Sequence, residues 1–166
     1  MLVYFGLGSN LGDRLGNLRE AVNKLKTLGE LKKASDVYET EPWGGVVQPD
    51  YLNACVLVAI ENMTPREILD AVKNFERELG RVPSERWGER SIDIDILLID
   101  DVIYKSHDLN IPHISMTERL FVLVPLEEIL PQNWKHPETG KSIREIIDSL
   151  QNTVYNLKIR RVNHLC

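Results

Sequence analysis

Cysteine is scarce in this chain, with two among 166 residues: Cys55 inside an apolar run and Cys166 at the last position. Neither belongs to a C-x-x-C pair or stands in metal-ligand spacing with a histidine. A disulfide framework and a structural zinc site are therefore excluded, and a reducing compartment is expected. Long hydrophobic runs are missing too. No stretch approaches the roughly 18 apolar residues that cross a bilayer, and Met1-Leu2-Val3-Tyr4-Phe5 has neither the basic leader nor the small-residue cleavage site of a secretory signal. The expectation is a soluble cytoplasmic protein with no membrane partner. Positive charge is the third deficit: 20 Lys and Arg stand against 25 Asp and Glu, for a net charge of −5. No global field draws such a chain to a polyanion, so no nucleic-acid partner is expected. Internal repeats and low-complexity stretches are absent as well, and 43% hydrophobic content is enough for one core, so residues 1–166 are expected to form a single domain.

The pattern that is present alternates strands and helices. An apolar run over residues 3–7 ends in the turn cluster Gly6-Leu7-Gly8-Ser9-Asn10-Leu11-Gly12-Asp13 and predicts a first strand. Leu15, Leu18, Val22 and Leu25 then recur at helical spacing, with Gly29 as the expected stop. Residues 31–40 and 51–60 predict two strands joined by a Gly/Pro-rich loop. Thr64-Pro65-Arg66-Glu67 is an N-cap signature with Pro at the first helical position, and Ile68, Leu69, Val72, Phe75 and Leu79 follow before Gly80. Residues 91–99 alternate and then turn apolar on both faces, which predicts a central strand. The order βαββαβ is that of the ferredoxin-like arrangement, an α+β fold with helices packed on an antiparallel sheet. The last third predicts an extension of the same domain: a hairpin at 101–112, a strand at 120–124, and a capped helix with Ser142, Glu145, Ile146, Ile147 and Leu150.

The sharpest chemical feature is Ser91-Ile92-Asp93-Ile94-Asp95-Ile96. Residues two apart on a strand share a face, so Asp93 and Asp95 stand side by side. A divalent cation relieves their repulsion, and hard carboxylate oxygens suit magnesium completed by water and phosphate. A bare D-x-D is equally a solvated polar face on an edge strand, but the flanking isoleucines and Leu97-Leu98-Ile99 favour a buried strand. Arg77, Arg81, Arg86 and Arg90 fall within fourteen residues just before the pair, with Trp87 and Gly88 among them. Guanidinium groups beside carboxylates make the complement of a magnesium polyphosphate. Arg77, inside the helix, is better read as paired with nearby glutamates, and Arg81 and Arg90 as ligand-facing. The glycine cluster is neither a Walker loop nor a dinucleotide fingerprint, since it lacks Gly-Lys-Ser/Thr and has Leu at position 11. Tyr51 and Asn53 share a strand face, where an amide offers both donor and acceptor to a heteroaromatic ligand or simply finishes a strand mouth. His113 is either a phosphate donor or a satisfied surface histidine, and spacing does not decide between them.

Over essentially its whole length the chain resembles the hydroxymethyl-dihydropterin pyrophosphokinases. The resemblance is carried by Gly8-Ser9-Asn10-Leu11-Gly12-Asp13, Gln48-Pro49-Asp50-Tyr51-Leu52-Asn53, Arg86-Trp87-Gly88-Glu89-Arg90-Ser91-Ile92-Asp93-Ile94-Asp95 and Ile111-Pro112-His113, in that order. It implies a ferredoxin-like fold and transfer of the β,γ-diphosphate of ATP to 6-hydroxymethyl-7,8-dihydropterin, in folate biosynthesis; the chain is expected to act as a monomer. It implies that Asp93 and Asp95 bind two Mg2+ ions and that Arg81 and Arg90, also catalytic, close over the triphosphate. Glu76, Arg86, Trp87, Ile96, His113 and Arg119 match ATP contacts; Thr40, Tyr51 and Asn53 match readers of the pterin edge; Trp43 and Phe121 match the pair that sandwiches its ring. Lys73, Asp108 and Ile114 depart from the Gln, Arg and Tyr often found at those places, which bears on the adenine and ribose contacts. Two readings compete: a two-metal nucleotidyltransferase, which would release pyrophosphate instead of AMP, and a noncatalytic ferredoxin-like binding module.

Overall fold

A computed structural model of the chain describes residues 1–42, 47–80, 91–151 and 159–166. Strand β1 (Leu2–Ser9), helix α1 (Arg14–Leu25), strands β2 (Gly29–Ala34), β3 (Asp36–Thr40) and β4 (Tyr51–Ile60), helix α2 (Pro65–Glu78) and strand β5 (Asp93–Ile99) follow the expected order. They pair antiparallel as β5-β1-β4-β3, with β2 continuing the β3 side of β4, which is the ferredoxin-like topology. Helices α1 and α2 cover one face, burying Leu18, Val22, Ile68 and Val72 against Phe5, Val56 and Ile94. The start of α2 is fixed as its sequence predicts: Thr64 N donates to Glu67 Oε2 at 2.7 Å and Glu67 N donates back to Thr64 Oγ1 at 3.2 Å, a reciprocal cap worth about 1 kcal/mol.

Four expectations are corrected. Helix α1 ends at Leu25, and Gly29 opens β2 instead of stopping the helix. The strand predicted over 31–40 is two strands broken at Ser35, whose N–H donates to the Cys55 carbonyl at 2.9 Å while its Oγ accepts from Cys55 N at 2.8 Å. The hydroxyl there supplies the acceptor that the bent backbone cannot.

Strand β5 is not central. It lies at the sheet's edge, beside β1 only among the described residues, and is buried because neighbours cover it: Ile94 N donates to Glu76 Oε1 on α2 at 2.8 Å, and His113 N donates to the Leu97 carbonyl at 2.9 Å. Its Leu97-Leu98-Ile99 run is apolar on both faces because a register shift opposite Tyr4/Phe5 turns Leu97 and Leu98 to the same side.

Residues 120–124 form no strand but open helix α3 (Leu120–Ile129). Its first seven residues are all apolar, so the helical period is hidden by burial, and a short apolar run does not distinguish strand from helix. It packs on the second sheet face with α4 (Ile143–Gln151), which Ser142 and Glu145 cap reciprocally as predicted. The hairpin is present as β6 (Tyr104–Lys105) and β7 (Asn110–Ile111). A further strand, β8 (Ile159–His164), went unforeseen. It pairs with β3 through charge instead of apolar alternation, with Arg160 on Glu39 at 2.6 Å and both Arg161 and His164 on Asp36. Among the described residues no helix is long and apolar enough to cross a membrane.

Candidate active site

A cavity of about 300 Å³ opens on the α3 face of the sheet. It exists because α3 begins only at Leu120 and covers Cys55 and Leu57, leaving the neighbouring strand ends bare. Pairing brings two rungs into its floor: Asp93 opposite Gly8 opposite Asn53, and Asp95 opposite Gly6 opposite Cys55. The glycines keep this floor flat. A Cβ on Gly8 would stand 3.4 Å from Asn53 Oδ1 and 3.7 Å from Tyr51 Cδ1, and one on Gly6 would press to 3.3 Å from Leu97 Cδ1.

One end of the cavity is amide and hydroxyl. Asn53 Nδ2 donates to Thr40 Oγ1 at 2.8 Å, and both residues are almost fully buried. Thr40, having accepted, keeps its own proton to donate, and Tyr51 stands beside it across the β3–β4 ladder. The other end is charged. Asp95 Oδ1 lies 3.9 Å from His113 Nε2, and Asp95 Oδ2 lies 4.0 Å from Arg119 Nη1. The Arg119 guanidinium is 5.8 Å from the centroid of the Phe121 ring. Ser115 N donates to His113 Nδ1 at 3.2 Å, which leaves the proton of the neutral ring on Nε2, facing the carboxylates. Burial, with Arg119 adding to it, lowers the His113 pKa from its ordinary value, and Asp93 opposes them. The ring is thus a neutral N–H donor at pH 7.

Eight predicted residues meet in this cavity: Thr40, Tyr51, Asn53, Asp93, Asp95, His113, Arg119 and Phe121. Glu76 and Ile96 do not line it. Glu76 is buried on α2 as the acceptor for Ile94 N, and the Ile96 side chain faces the α1/α2 core, so that only its main chain is left to offer a ligand at the sheet edge. Trp43, Arg81, Arg86, Trp87 and Arg90 lie outside the described residues. The cavity also includes Gly6, Gln48 and Cys55, which sequence reasoning did not single out as site residues. Gly6/Gly8 and Asn53/Cys55 carry the same two-residue spacing as Asp93/Asp95, and that shared period was the available signal.

Two carboxylates on one face of an open cavity are a donor set that fits magnesium, which keeps water and substrate oxygens in its shell. Among the described residues no group of three or more His, Cys, Asp or Glu side chains could cage a metal, so a closed zinc site does not fit.

Fold and cavity together define an α+β protein of the ferredoxin-like class with a flat-floored cleft, amide-lined at one end and carboxylate-lined at the other. Residues 4–131 match the profile of the 7,8-dihydro-6-hydroxymethylpterin-pyrophosphokinase (HPPK) family. Proteins from Aquifex aeolicus and Bacillus subtilis, both named 2-amino-4-hydroxy-6-hydroxymethyldihydropteridine pyrophosphokinase, are similar to it. The first is 43% identical over 143 residues, covering 86% of this chain and 88% of the relative. The second is 40% identical over 146 residues, covering 87% of each. The crystal structure of wild-type Plasmodium falciparum HPPK-DHPS shares the fold, with a TM-score of 0.73 and 16% identity over 96% of this chain, which spans only 48% of that longer one. The chain belongs to the HPPK family.

Proposed function

We propose that this chain transfers the terminal diphosphate of ATP to the hydroxymethyl group of 6-hydroxymethyl-7,8-dihydropterin, giving AMP and the pterin diphosphate on the route to folate. Family membership supports the reaction class. The observation that carries the reading is the rung Asp93–Gly8–Asn53: two strand spacings, about 10 Å, separate an amide that reads a heterocycle edge from carboxylates suited to a metal phosphate.

Thr40 and Asn53 hydrogen-bond the edge of the pterin, and Phe121 stacks on its ring, with Trp43 as the opposite face. Asp93 and Asp95 would hold magnesium, which when bound neutralises phosphate charge and acidifies the pterin hydroxyl. The neutral His113 Nε2–H and the Arg119 guanidinium donate to phosphate oxygens next to those carboxylates. The family resemblance assigns Arg81 and Arg90 to the triphosphate, with Arg86 and Trp87 as further nucleotide contacts. The hydroxyl oxygen attacks the β-phosphorus, and its proton passes to solvent. The bond from β-phosphorus to the bridging oxygen breaks, and AMP leaves with the electron pair. The protein's part is positioning and charge complementarity rather than a strong general base. The chain works as one domain, a monomer in the cytoplasm.

The test is to incubate purified protein with ATP, magnesium and the pterin and to separate the nucleotides. AMP formed one for one with pterin diphosphate, and only with all three present, is the expected result. Release of pyrophosphate would mean nucleotidyl transfer, and no turnover by folded protein would mean a binding module.

A further inference from the structure

The loop between β3 and β4 is closed at its base by a residue outside the cavity. Arg14 is the first residue of α1, and its guanidinium forks between two segments: Nη2 lies 2.9 Å from Glu39 Oε2, and Nη1 donates to the Asp50 carbonyl at 2.8 Å. Glu39 and Asp50 directly precede Thr40 and Tyr51, which face each other as the last rung before the loop departs. Two further residues brace the same place. Asn10 Nδ2 donates to Gln48 Oε1 and to the Pro49 carbonyl, both at 3.1 Å. Arg160 Nη2, on β8, donates to the other Glu39 oxygen at 2.6 Å.

Helix stability does not account for Arg14. A cation in the first turn opposes the helix dipole, and capping is already provided by Asp13, whose Oδ1 accepts from Gly16 N at 3.0 Å. A planar guanidinium holds a carboxylate and a carbonyl at once, which an ammonium does less well. The Glu39 side chain is only 19% exposed and that of Arg14 31%, so the contact is partly withdrawn from the solvent screening that weakens surface pairs. The Arg160 hydrogen bond, with Arg14 adding to it, holds the Glu39 carboxyl below its ordinary range although burial opposes this.

We propose that Arg14 is a positioning residue for the pterin: by clamping Glu39 to Asp50 it fixes the spacing of Thr40, Tyr51 and Asn53 over Gly8. The inference rests on the pterin reading of the cavity. Its mechanical link is short, because Asn53 donates to Thr40 across the two strands that Arg14 ties, and splaying the stem would stretch that bond.

The test compares wild type with Arg14→Ala, Arg14→Lys, Glu39→Gln and the Arg14→Ala/Glu39→Gln double variant. AMP formation is followed with each substrate varied in turn, pterin binding is measured by calorimetry, and each variant's unfolding midpoint is recorded. Arg14→Ala should raise both KM and Kd for the pterin about tenfold while changing KM for ATP less than about twofold. Arg14→Lys should fall between, and Glu39→Gln should add little to Arg14→Ala. If Arg14→Ala does not fold, Glu39→Gln carries the test. Folded variants that bind the pterin as wild type does overturn the clamp, as does an equal loss toward both substrates. A wild type that binds the pterin but makes no AMP overturns the reaction instead, and calorimetry then tests the clamp by itself.

Discussion

Removing the Glu76 carboxylate should loosen the strand that carries both aspartates. Glu76 is 7% exposed, and its Oε1 accepts from Ile94 N at 2.8 Å. Ile94 lies between Asp93 and Asp95 on an edge strand, with its N–H directed away from β1 and toward α2. In Glu76→Ala that donor loses its partner in a place water reaches poorly, at a cost of about 1–3 kcal/mol. For a chain of this size each kcal/mol lowers Tm by about 2–4 °C, so a fall of roughly 4–8 °C is expected for a mid-range loss of about 2 kcal/mol. Turnover should fall as well, because the backbone that aims the two carboxylates is released. Glu76→Gln keeps an amide oxygen that can accept and should stay within about 1 kcal/mol of wild type. Calorimetric scans beside initial rates at saturating ATP give both readouts. A Glu76→Ala midpoint within about 2 °C of wild type would refute the structural role. A raised KM for ATP in a fully stable Glu76→Gln would instead favour the direct nucleotide contact that the family resemblance implies.

Asp95→Ala should fold and yet lose turnover by more than about a hundredfold; a variant within about tenfold, roughly 1.4 kcal/mol of barrier, would contradict its role. A disulfide-exchange reagent should label one thiol per folded chain, the exposed Cys166, and two after denaturation. Cys55 is fully buried and burial pushes its pKa up, so equal labelling of both in folded protein would contradict the packing. Acid should weaken the fold through two histidines. Burial lowers the pKa of both His113 and His136 from the ordinary 6.5, so the unfolded chain binds protons more readily. Their contribution is complete above about pH 6.5 and is lost as pH falls through that value toward the folded-state pKa values. His136→Gln, whose ring packs edge-on against Trp134 with its centroid at 6.0 Å, should flatten the fall of Tm between about pH 7 and 5; an unchanged slope would exclude His136 as a source.

The elements most visible in the sequence are those whose own residues decide them. Helix α2 carries its cap, its proline and its apolar stripe in one stretch, and each contact is found in place. Helix α3 has the sequence pattern of a strand because nearly every side is apolar, and what separates the two conformations there is the sheet face it lies on. Strand β8 has no apolar period and is held by Asp36 and Glu39, partners more than a hundred residues away. The break at Ser35 needs the Cys55 backbone opposite it, which no local pattern reveals.

The site divides along the same line. Gly6/Gly8, Tyr51/Asn53 and Asp93/Asp95 are each spaced by two, so each pair's shared face could be read from the sequence. That they form one site depends on register, which sets Gly8 against both Asn53 and Asp93. A one-residue slip of β5 against β1 would turn both carboxylates into the α1/α2 core and bring isoleucines to the cavity. That slip is opposed by Ile92, Ile94 and Ile96 on the buried face, and the Glu76–Ile94 bond further ties the strand to α2. The isoleucines that alternate with the aspartates therefore belong to the site's design as much as the carboxylates do: their side chains face the core, and they fix which face the charge occupies. Arg14 stayed hidden for the opposite reason. Its partners are a carboxylate 25 positions on and a main-chain carbonyl, and main-chain acceptors leave no mark in a sequence.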